Sequence, residues 1–386
     1  MLVEIKSEKS YRRLVNNPFV KSVSRSGAPE SGPFFFGNGC GSQPPVSPHN
    51  IWYVGGEAIG RDIKEHGVEA AWLRAQGSGV SIGVVGTGVS KFQTQLSYDF
   101  LNGQSATRSP INRDYVWDDG DADPSHDNCG HETKLIGIMA APRDGIGLVG
   151  IAYKSNIHSI RMDNDVSLQN GFWRAKLAIR KASTTSKIIN MAFGWHELAP
   201  WDADEREDLE EEIARLYNLD YLLIGAAGTS LTVTSWMDVV FPANVFGVVA
   251  VTGIGPDGNR CPTCHAGTKV EFVAEIHQPT LHPNPDLSSS SYTLVNSGGS
   301  SHATAVISAM AAVIWSKYPG YSRDYILYRM RLAGGRSSAH PKTGWGTPNL
   351  YRAVGGIYDA ELSGPSAVDA GSGLHGYTFS HQGGDG

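Results

Sequence analysis

A serine lies where a turn of small residues meets a long apolar run. Residues 298–301 read Gly-Gly-Ser-Ser, and residues 303–314 are almost entirely apolar. Glycines allow a sharp turn, and the first turn of the helix that follows offers free N–H groups and a positive dipole end to an oxyanion. This placement suits a nucleophilic serine. It also suits a helix N-cap, so Ser300 and Ser301 alone do not decide between the two.

A serine hydroxyl is a weak nucleophile until a neighbouring base takes its proton. The candidate base is His131, which opens a second helical pattern and is followed by Glu-Thr-Lys. Two apolar strand patterns lie between the histidine and the serine. One ends Asn-Met-Ala-Phe-Gly at residues 190–194, and the other ends Ala-Ala-Gly-Thr at residues 226–229.

Along the chain the order is the histidine, the two strand ends and the serine. These four motifs in that order resemble those of the subtilases, the subtilisin-like serine proteases. The resemblance runs from about Gly67 to about Gly355. It implies that Ser301 is the nucleophile, in the position of Ser in the family pattern Gly-Thr-Ser-Met-Ala-Ser. It implies that His131 is the general base, the first residue of the family's His-Gly-Thr-His signature.

The third member of the triad departs from the family pattern. The first core strand of subtilases ends in Asp-Ser/Thr-Gly, but here it ends Gly-Thr-Gly, so Gly86 stands at the position of the carboxylate. That carboxylate fixes the imidazole tautomer, and its loss costs roughly 10⁴-fold in turnover in subtilisin. Asp127 and Glu132 are near His131 in sequence. A residue beside His131 at a helix start is expected to point elsewhere, so we do not expect either to substitute.

The oxyanion hole is altered as well. The family's Ala-Ala-Gly-Asn reads Ala-Ala-Gly-Thr here, so Thr229 takes the place of the donor Asn. A Thr hydroxyl is shorter and has a single proton to donate. The backbone N–H of Ser301 is the second donor, and losing one such donor typically costs about 3 kcal/mol.

Strand and helix patterns alternate along the chain, which predicts an α/β fold with a mostly parallel central sheet between helices, a subtilisin-like three-layer sandwich. In such folds functional groups collect at the carboxyl ends of strands and at helix N-termini. The predicted strands are 80–85, 157–162, 187–191, 221–226, 245–252 and 270–273. The predicted helices are 133–141, 168–182, 204–217, 301–317 and 323–332, with a further helix over 59–73.

The chain divides into four predicted parts. Residues 1–26 resemble the last part of a subtilase inhibitory propeptide, with a generic amphipathic segment as the alternative. Residues 27–60 form a linker rich in Gly, Pro and Ser. Residues 61–358 form the catalytic domain, and residues 359–386 form a Gly/Ser-rich disordered tail.

Composition narrows the possible partners. The 386-residue chain has a formal net charge of −6, which gives no electrostatic case for nucleic acid. No apolar run approaches the roughly 18 residues of a spanning helix, and the first ten residues lack the pattern of a secretory signal. The resemblance implies a protein or peptide substrate, and a family that is mostly secreted. We expect a monomer.

Four cysteines, at positions 40, 129, 261 and 264, are too few for a disulfide scaffold. The sequence Cys261-Pro-Thr-Cys264-His265 matches a haem-attachment pattern, half a zinc site or a redox pair. We favour a local disulfide or two free thiols. Residues 118–123 resemble a calcium loop but have the required Gly and Glu out of place. Many subtilases bind calcium, so the resemblance allows calcium, but no calcium site is assigned here and no cofactor is required.

Three functions therefore compete: a serine endopeptidase, a pseudoprotease that binds peptides, and a redox or metal protein that uses Cys261, Cys264 and His265. Retention of both Ser301 and His131 favours the first. The resemblance places the substrate cleft between residues 192–194 and the segment after Leu168. There a peptide would pair as an added strand.

Overall fold

The structure, a computed structural model, describes residues 51–89, 113–114, 131–143, 145, 147–162, 171–195, 203–230, 238–255, 258–283, 292–356, 361–363 and 378–380. The first strands form a hairpin, β1 (Ile51–Val54) with β2 (Glu57–Gly60). Gly55 and Gly56 both adopt positive φ in its two-residue turn, the conformation that hairpin turns favour. The last ten residues of the expected 27–60 linker therefore form this hairpin, and the rest lies outside the described residues.

Seven strands form the central sheet, and all of its neighbouring strands pair in parallel in the order β4-β5-β3-β6-β7-β8-β9. Their bounds are β3 Ser81–Gly86, β4 Arg113–Asp114, β5 Asn156–Arg161, β6 Ile188–Met191, β7 Leu222–Ala226, β8 Val248–Ile254 and β9 Val270–Glu275. The predicted parallel α/β sheet is confirmed. Six of its seven strands were predicted, and each predicted range overlaps the observed strand.

Two antiparallel pairs lie outside this sheet. One joins β10 (Gln278–Pro283) to β11 (Tyr292–Ser297), and the other joins β12 (Glu361–Ser363) to β13 (Thr378–Ser380). The second pair falls in the tail that was expected to be disordered. The description of that tail is corrected for these six residues, and the rest of 359–386 lies outside the described part of the chain.

Helices cover both faces of the sheet. Their bounds are α1 Arg61–Glu65, α2 Val68–Ala71, α3 His131–Ala140, α4 Gly171–Ala182, α5 Ala203–Asn218, α6 Ser300–Lys317, α7 Arg323–Ala333 and α8 Leu350–Ala353. Alternate strand residues face opposite sides, as the pleat requires. Val84 packs in the core that contains α3 and α6, and Val85 packs in the core that contains α4 and α5. The three-layer arrangement follows.

The two helices whose first turns hold the predicted catalytic residues are unusually buried. All ten residues of α3 are buried, as is α6 from Ser300 to Trp315. A helix that is apolar on every side belongs in the interior of a protein, and α6 is the central helix of the larger core. None of the helices in the described ranges is long and apolar enough to cross a membrane.

Candidate active site

The predicted site residues lie where the sheet topology brings strand ends and helix starts together. Gly86 is the last residue of β3, and Thr229 follows the end of β7. His131 is the first residue of α3, and Ser301 is the second residue of α6. Because β3, β6 and β7 are consecutive parallel neighbours, their carboxyl ends form one edge of the sheet.

A carboxylate lies beside the predicted base. Glu132 Oε1 is 2.9 Å from His131 Nδ1. A Cβ built on Gly86 would lie closer than 3.0 Å to this same carboxylate, a separation that real Cβ atoms essentially never show. The carboxylate of Glu132 therefore occupies the volume that a side chain at position 86 would need.

Thr87 holds the other oxygen of this carboxylate. Its backbone N–H donates to Glu132 Oε2 at 2.8 Å, and its hydroxyl donates to the same oxygen. One oxygen of Glu132 thus contacts the imidazole while the other is fixed to the end of β3. A carboxylate held at both oxygens has little freedom to turn away from His131.

These contacts decide the charge state of Glu132, which is almost completely buried. Burial alone would raise the pKa of the carboxyl, but the charge and hydrogen bond of His131 and the two hydrogen bonds from Thr87 outweigh it, so the pKa is lowered. An ionised carboxylate can only accept hydrogen bonds. The nitrogen that faces it, His131 Nδ1, must therefore carry a proton, and in the neutral form of the ring Nε2 then has the lone pair that a base requires.

The expectation that Glu132 points away from His131 is wrong. It relied on the angular separation of neighbouring residues on a helix, which applies to Cβ directions. The Glu side chain has one more methylene than Asp, and the empty position at Gly86 lets its carboxylate turn back to the imidazole. Asp127, the other carboxylate considered, lies outside the described residues.

The predicted nucleophile is buried and is hydrogen bonded to the edge of the cleft. The Ser301 hydroxyl donates to the carbonyl oxygen of Ala192, 3.2 Å away, just beyond β6. In this rotamer the hydroxyl proton goes to Ala192, so proton transfer to His131 requires that hydrogen bond to break. Ala192 belongs to one predicted wall of the substrate cleft. The other wall, after Leu168, lies outside the described residues.

Thr229 is held against the start of α6. Its Oγ1 accepts a hydrogen bond from the Ser300 N–H at 2.9 Å and lies 3.0 Å from Ser300 Oγ. The Gly228 N–H donates to Ser300 Oγ at 3.1 Å. Gly299 permits this approach, since a Cβ there would be only 3.0 Å from Thr229 Oγ1. Thr229 therefore caps α6 from a different segment of the chain.

The Cys-x-x-Cys-His motif is a local disulfide loop. Cys261 and Cys264 are bonded to each other. His265 Nδ1 lies 3.0 Å from the carbonyl oxygen of Asp238, and its Nε2 lies 2.8 Å from Ser230 Oγ. Haem attachment and zinc binding need free sulfur atoms, so neither fits this loop. Cys40 and Cys129 lie outside the described residues.

The disulfide loop also supports the segment that carries Thr229. The His265 N–H donates to the carbonyl oxygen of Gly228 at 3.0 Å, and the Ser230 N–H donates to the carbonyl oxygen of Thr263 at 2.8 Å. Thr229 itself pairs with Cys264 in an antiparallel bridge. The position of Thr229 is therefore tied to this loop on both sides.

One buried histidine beside the site was missed by the sequence analysis. His302 occupies the Met position of the family pattern, and neither of its ring nitrogens has a hydrogen-bond partner within the described ranges. Burial, followed by the nearby charges of Lys134, His131 and His277, lowers its pKa well below the ordinary 6.5. His302 is therefore neutral, and its departure from the Met of the pattern was the available signal.

No group of three or more His, Cys, Asp or Glu side chains within the described residues is arranged to hold a metal ion. The calcium-like loop at 118–123 lies outside those residues. The expectation that no calcium site is assigned there stays a prediction.

Comparison with known proteins supplies the family. The model of the Subtilase family matches residues 77–346, more than half of the chain. A thermostable alkaline protease of Halalkalibacterium halodurans is 29% identical over 234 residues, which cover 60% of this chain and 57% of that protein. Subtilisin DY of Bacillus licheniformis is 25% identical over 272 residues, or 68% of this chain and 87% of that protein.

Solved structures agree on the fold. Fervidolysin from Fervidobacterium pennivorans, described as a keratinolytic enzyme related to subtilisin, aligns with a TM-score of 0.62 and 18% identity, over 84% of this chain and 52% of that one. MycP1 from Mycobacterium smegmatis aligns with a TM-score of 0.59 and 18% identity, over 85% of this chain and 92% of that one.

Proposed function

The chain belongs to the subtilase family, and from that premise we propose that it is a serine endopeptidase in which Ser301 is the nucleophile, His131 the general base and Glu132 the residue that orients the base. The observation that carries the proposal is the 2.9 Å contact between Glu132 Oε1 and His131 Nδ1. It supplies the carboxylate that the glycine at position 86 lacks.

The reaction follows from these positions. Ser301 Oγ leaves its hydrogen bond with Ala192, gives its proton to His131 Nε2 and attacks the carbonyl carbon of the substrate peptide. Glu132 stabilises the imidazolium that forms. The same proton then passes to the leaving amine, and the C–N bond breaks. A water molecule, deprotonated by His131, hydrolyses the acyl-enzyme and restores the Ser301 hydroxyl.

The lowered pKa of Glu132 supports this role. The carboxylate stays ionised while His131 gains a proton, so the charge pair forms in a buried site, where electrostatic interactions are strong. A neutral carboxyl group would lack this effect. The donors from Thr87 keep the carboxylate in place throughout the reaction.

One observation favours the second candidate, a catalytically impaired pseudoprotease that binds peptides. The Ser301 hydroxyl is hydrogen bonded to Ala192 rather than presented to a substrate, and its side chain is buried. If that rotamer persisted with peptide bound, the fold would bind peptides without cleaving them. This candidate uses the same cleft, so activity measurements separate the two.

The test is labelling of the purified full chain by a fluorophosphonate probe, with cleavage of an internally quenched peptide library alongside. The Ser301→Ala variant should lose both signals. Ser316→Ala is the matched control, since Ser316 lies on the same helix about 22 Å away along its axis and bonds Val313. Labelling of wild type that persists in Ser301→Ala would overturn the assignment. No labelling of any variant would favour the pseudoprotease.

A further inference from the structure

Two hydroxyl groups share one buried site at the start of α6. Ser300 is fully buried, Thr229 is 6% exposed, and their hydroxyl oxygens are 3.0 Å apart. A backbone N–H points at each oxygen, from Gly228 to Ser300 and from Ser300 to Thr229. Each hydroxyl oxygen thus accepts a hydrogen bond from a fixed backbone N–H, and the two hydroxyls are also within hydrogen-bond distance of each other.

Counting protons shows what remains. The two hydroxyls carry two protons, and a single hydrogen bond between them uses one. Each oxygen already accepts from an amide, so the hydroxyl that also accepts from its neighbour has both lone pairs engaged. Its own proton is then directed away from the pair. While the two hydroxyls share their hydrogen bond, one O–H of the pair is therefore left to donate elsewhere.

We propose that Ser300 and Thr229 form a hydroxyl relay that completes the oxyanion hole in place of the Asn amide. Ser300 accepts from the Gly228 N–H and donates to Thr229 Oγ1. Thr229 donates its own proton to the carbonyl oxygen of the scissile peptide as that oxygen becomes negative. We assign the remaining proton to Thr229 because it is 6% exposed, whereas Ser300 is fully buried.

The position of Thr229 supports this role. Its Oγ1 bonds the N–H of Ser300, one residue before the N–H of Ser301. The first amides of a helix have no partner within the helix, so the Ser301 N–H is available as the second donor. Both donors then approach one oxygen from the positive end of the α6 dipole. Hydrogen bonds in such a chain polarise one another, which strengthens the last donor.

In this relay Thr229 touches the reacting oxygen, whereas Ser300 is a positioning residue that acts through Thr229. Thr229→Val preserves shape but removes the donor, and should lower kcat about 100-fold or more with little change in KM. Ser300→Ala should lower kcat about tenfold, the effect of one hydrogen bond. Ser300→Thr and Thr229→Ser keep the hydroxyls and should retain most of the activity.

The deciding experiment measures kcat and KM for wild type, the four single variants and the Ser300→Ala/Thr229→Val double variant. A relay predicts that the double variant is no slower than Thr229→Val, because Ser300 has nothing left to orient. Inhibition by a peptide aldehyde, whose adduct forms an oxyanion, should weaken in parallel with kcat. Binding of the corresponding peptide alcohol should not change.

Two results would overturn the relay: wild-type kcat in Thr229→Val, or losses that multiply in the double variant. A melting curve shows whether Ser300→Ala folds. If it does not, the comparison of Thr229→Val with Thr229→Ser decides alone. Equal kcat values for these two variants would contradict the proposal. The inference rests on the proposed peptidase activity. If the wild type is not labelled by the fluorophosphonate, the peptidase activity itself is contradicted. If the wild type is active and Thr229→Val has the same kcat, only the relay is contradicted.

Discussion

Gly86 and Glu132 form a matched pair, because the carboxylate of Glu132 fills the space that any side chain at position 86 would occupy. The carboxylate beside His131 thus comes from the first turn of a helix, whereas the family pattern has its Asp at the end of a strand. Under the proposed mechanism Glu132 takes the role that the pattern gives to an Asp at position 86.

The first prediction concerns the charge of Glu132. Glu132→Gln keeps the size of the side chain but removes the negative charge, and the amide can hold the wrong tautomer of His131. We expect kcat to fall between about 10² and 10⁴-fold, with KM nearly unchanged, since removing the orienting Asp of a triad has effects up to this size. Steady-state kinetics on a quenched peptide provide the measurement. Wild-type kcat in this variant would mean that Glu132 does not orient the base.

The second prediction concerns a return to the family residue at position 86. Restoring the family residue by Gly86→Asp should lower activity, because its Cβ would collide with the Glu132 carboxylate and two buried carboxylates would repel one another. The double variant Gly86→Asp/Glu132→Ala removes both problems. It should recover activity well above either single variant.

A double-mutant cycle over these two positions measures their coupling. Gly86→Ala is the matched control, since it adds the colliding Cβ without the charge. A higher activity of the Gly86→Asp single variant would show that Glu132 does not orient His131. Independent, additive effects of the two substitutions would contradict the matched pair.

Much of the fold was predictable from local pattern. The core strands are short runs rich in β-branched residues between turn residues. The helices are longer, and their apolar residues recur with the helical period. The hairpin of β1 and β2 was missed, although its Gly55-Gly56 turn was a readable signal. β10 escaped prediction because Pro279 and Pro283 are atypical of strands.

The site was predictable only where it keeps the family's motifs. Ser301 and His131 follow from those motifs, but Glu132 is recognised only when the empty volume beside Gly86 is seen in three dimensions. The sequence offered two separate clues: a glycine where a carboxylate is expected, and a carboxylate directly after the histidine. No sequence rule joins position 86 to position 132, since their contact depends on how β3 and α3 pack.

The third prediction concerns the disulfide loop. The Cys261–Cys264 bond closes the loop that pairs with the segment of Thr229, so opening it should let the oxyanion donor move. Cys261→Ser/Cys264→Ser, or treatment with a phosphine reductant, should lower kcat about tenfold, less than outright loss of the donor. Fluorophosphonate labelling of Ser301 should persist at a reduced rate.

The double-serine variant is also the control for the reductant. Its activity should not change further on reduction, whereas that of wild type should fall to the same level. If wild type and the variant are equally active without reductant, the disulfide does not support the donor. If reductant inhibits the variant as strongly as wild type, the effect arises elsewhere in the chain.

The last prediction is a pH dependence of stability. His302 has a lowered pKa in the folded protein and an ordinary value near 6.5 when unfolded. Above pH 6.5 it is neutral in both states and contributes nothing. Below that pH the unfolded chain takes up a proton that the buried ring does not, so stability falls as the pH drops toward the folded pKa, with a slope of up to about 1.4 kcal/mol per pH unit.

His302→Met, which installs the residue of the family pattern, should remove this loss. Urea denaturation at several pH values from 5 to 8 measures it, in a Ser301→Ala background that prevents self-digestion. The Met variant should gain stability relative to its parent between pH 5 and 6.5, and the difference should be constant above. Glu132 does not interfere in this window, because its lowered pKa keeps it charged in the folded state. His66 and His158, whose pKa values burial also lowers, contribute equally to both proteins. A pH-independent difference would show that His302 titrates alike in the folded and unfolded chains, which would contradict its lowered pKa.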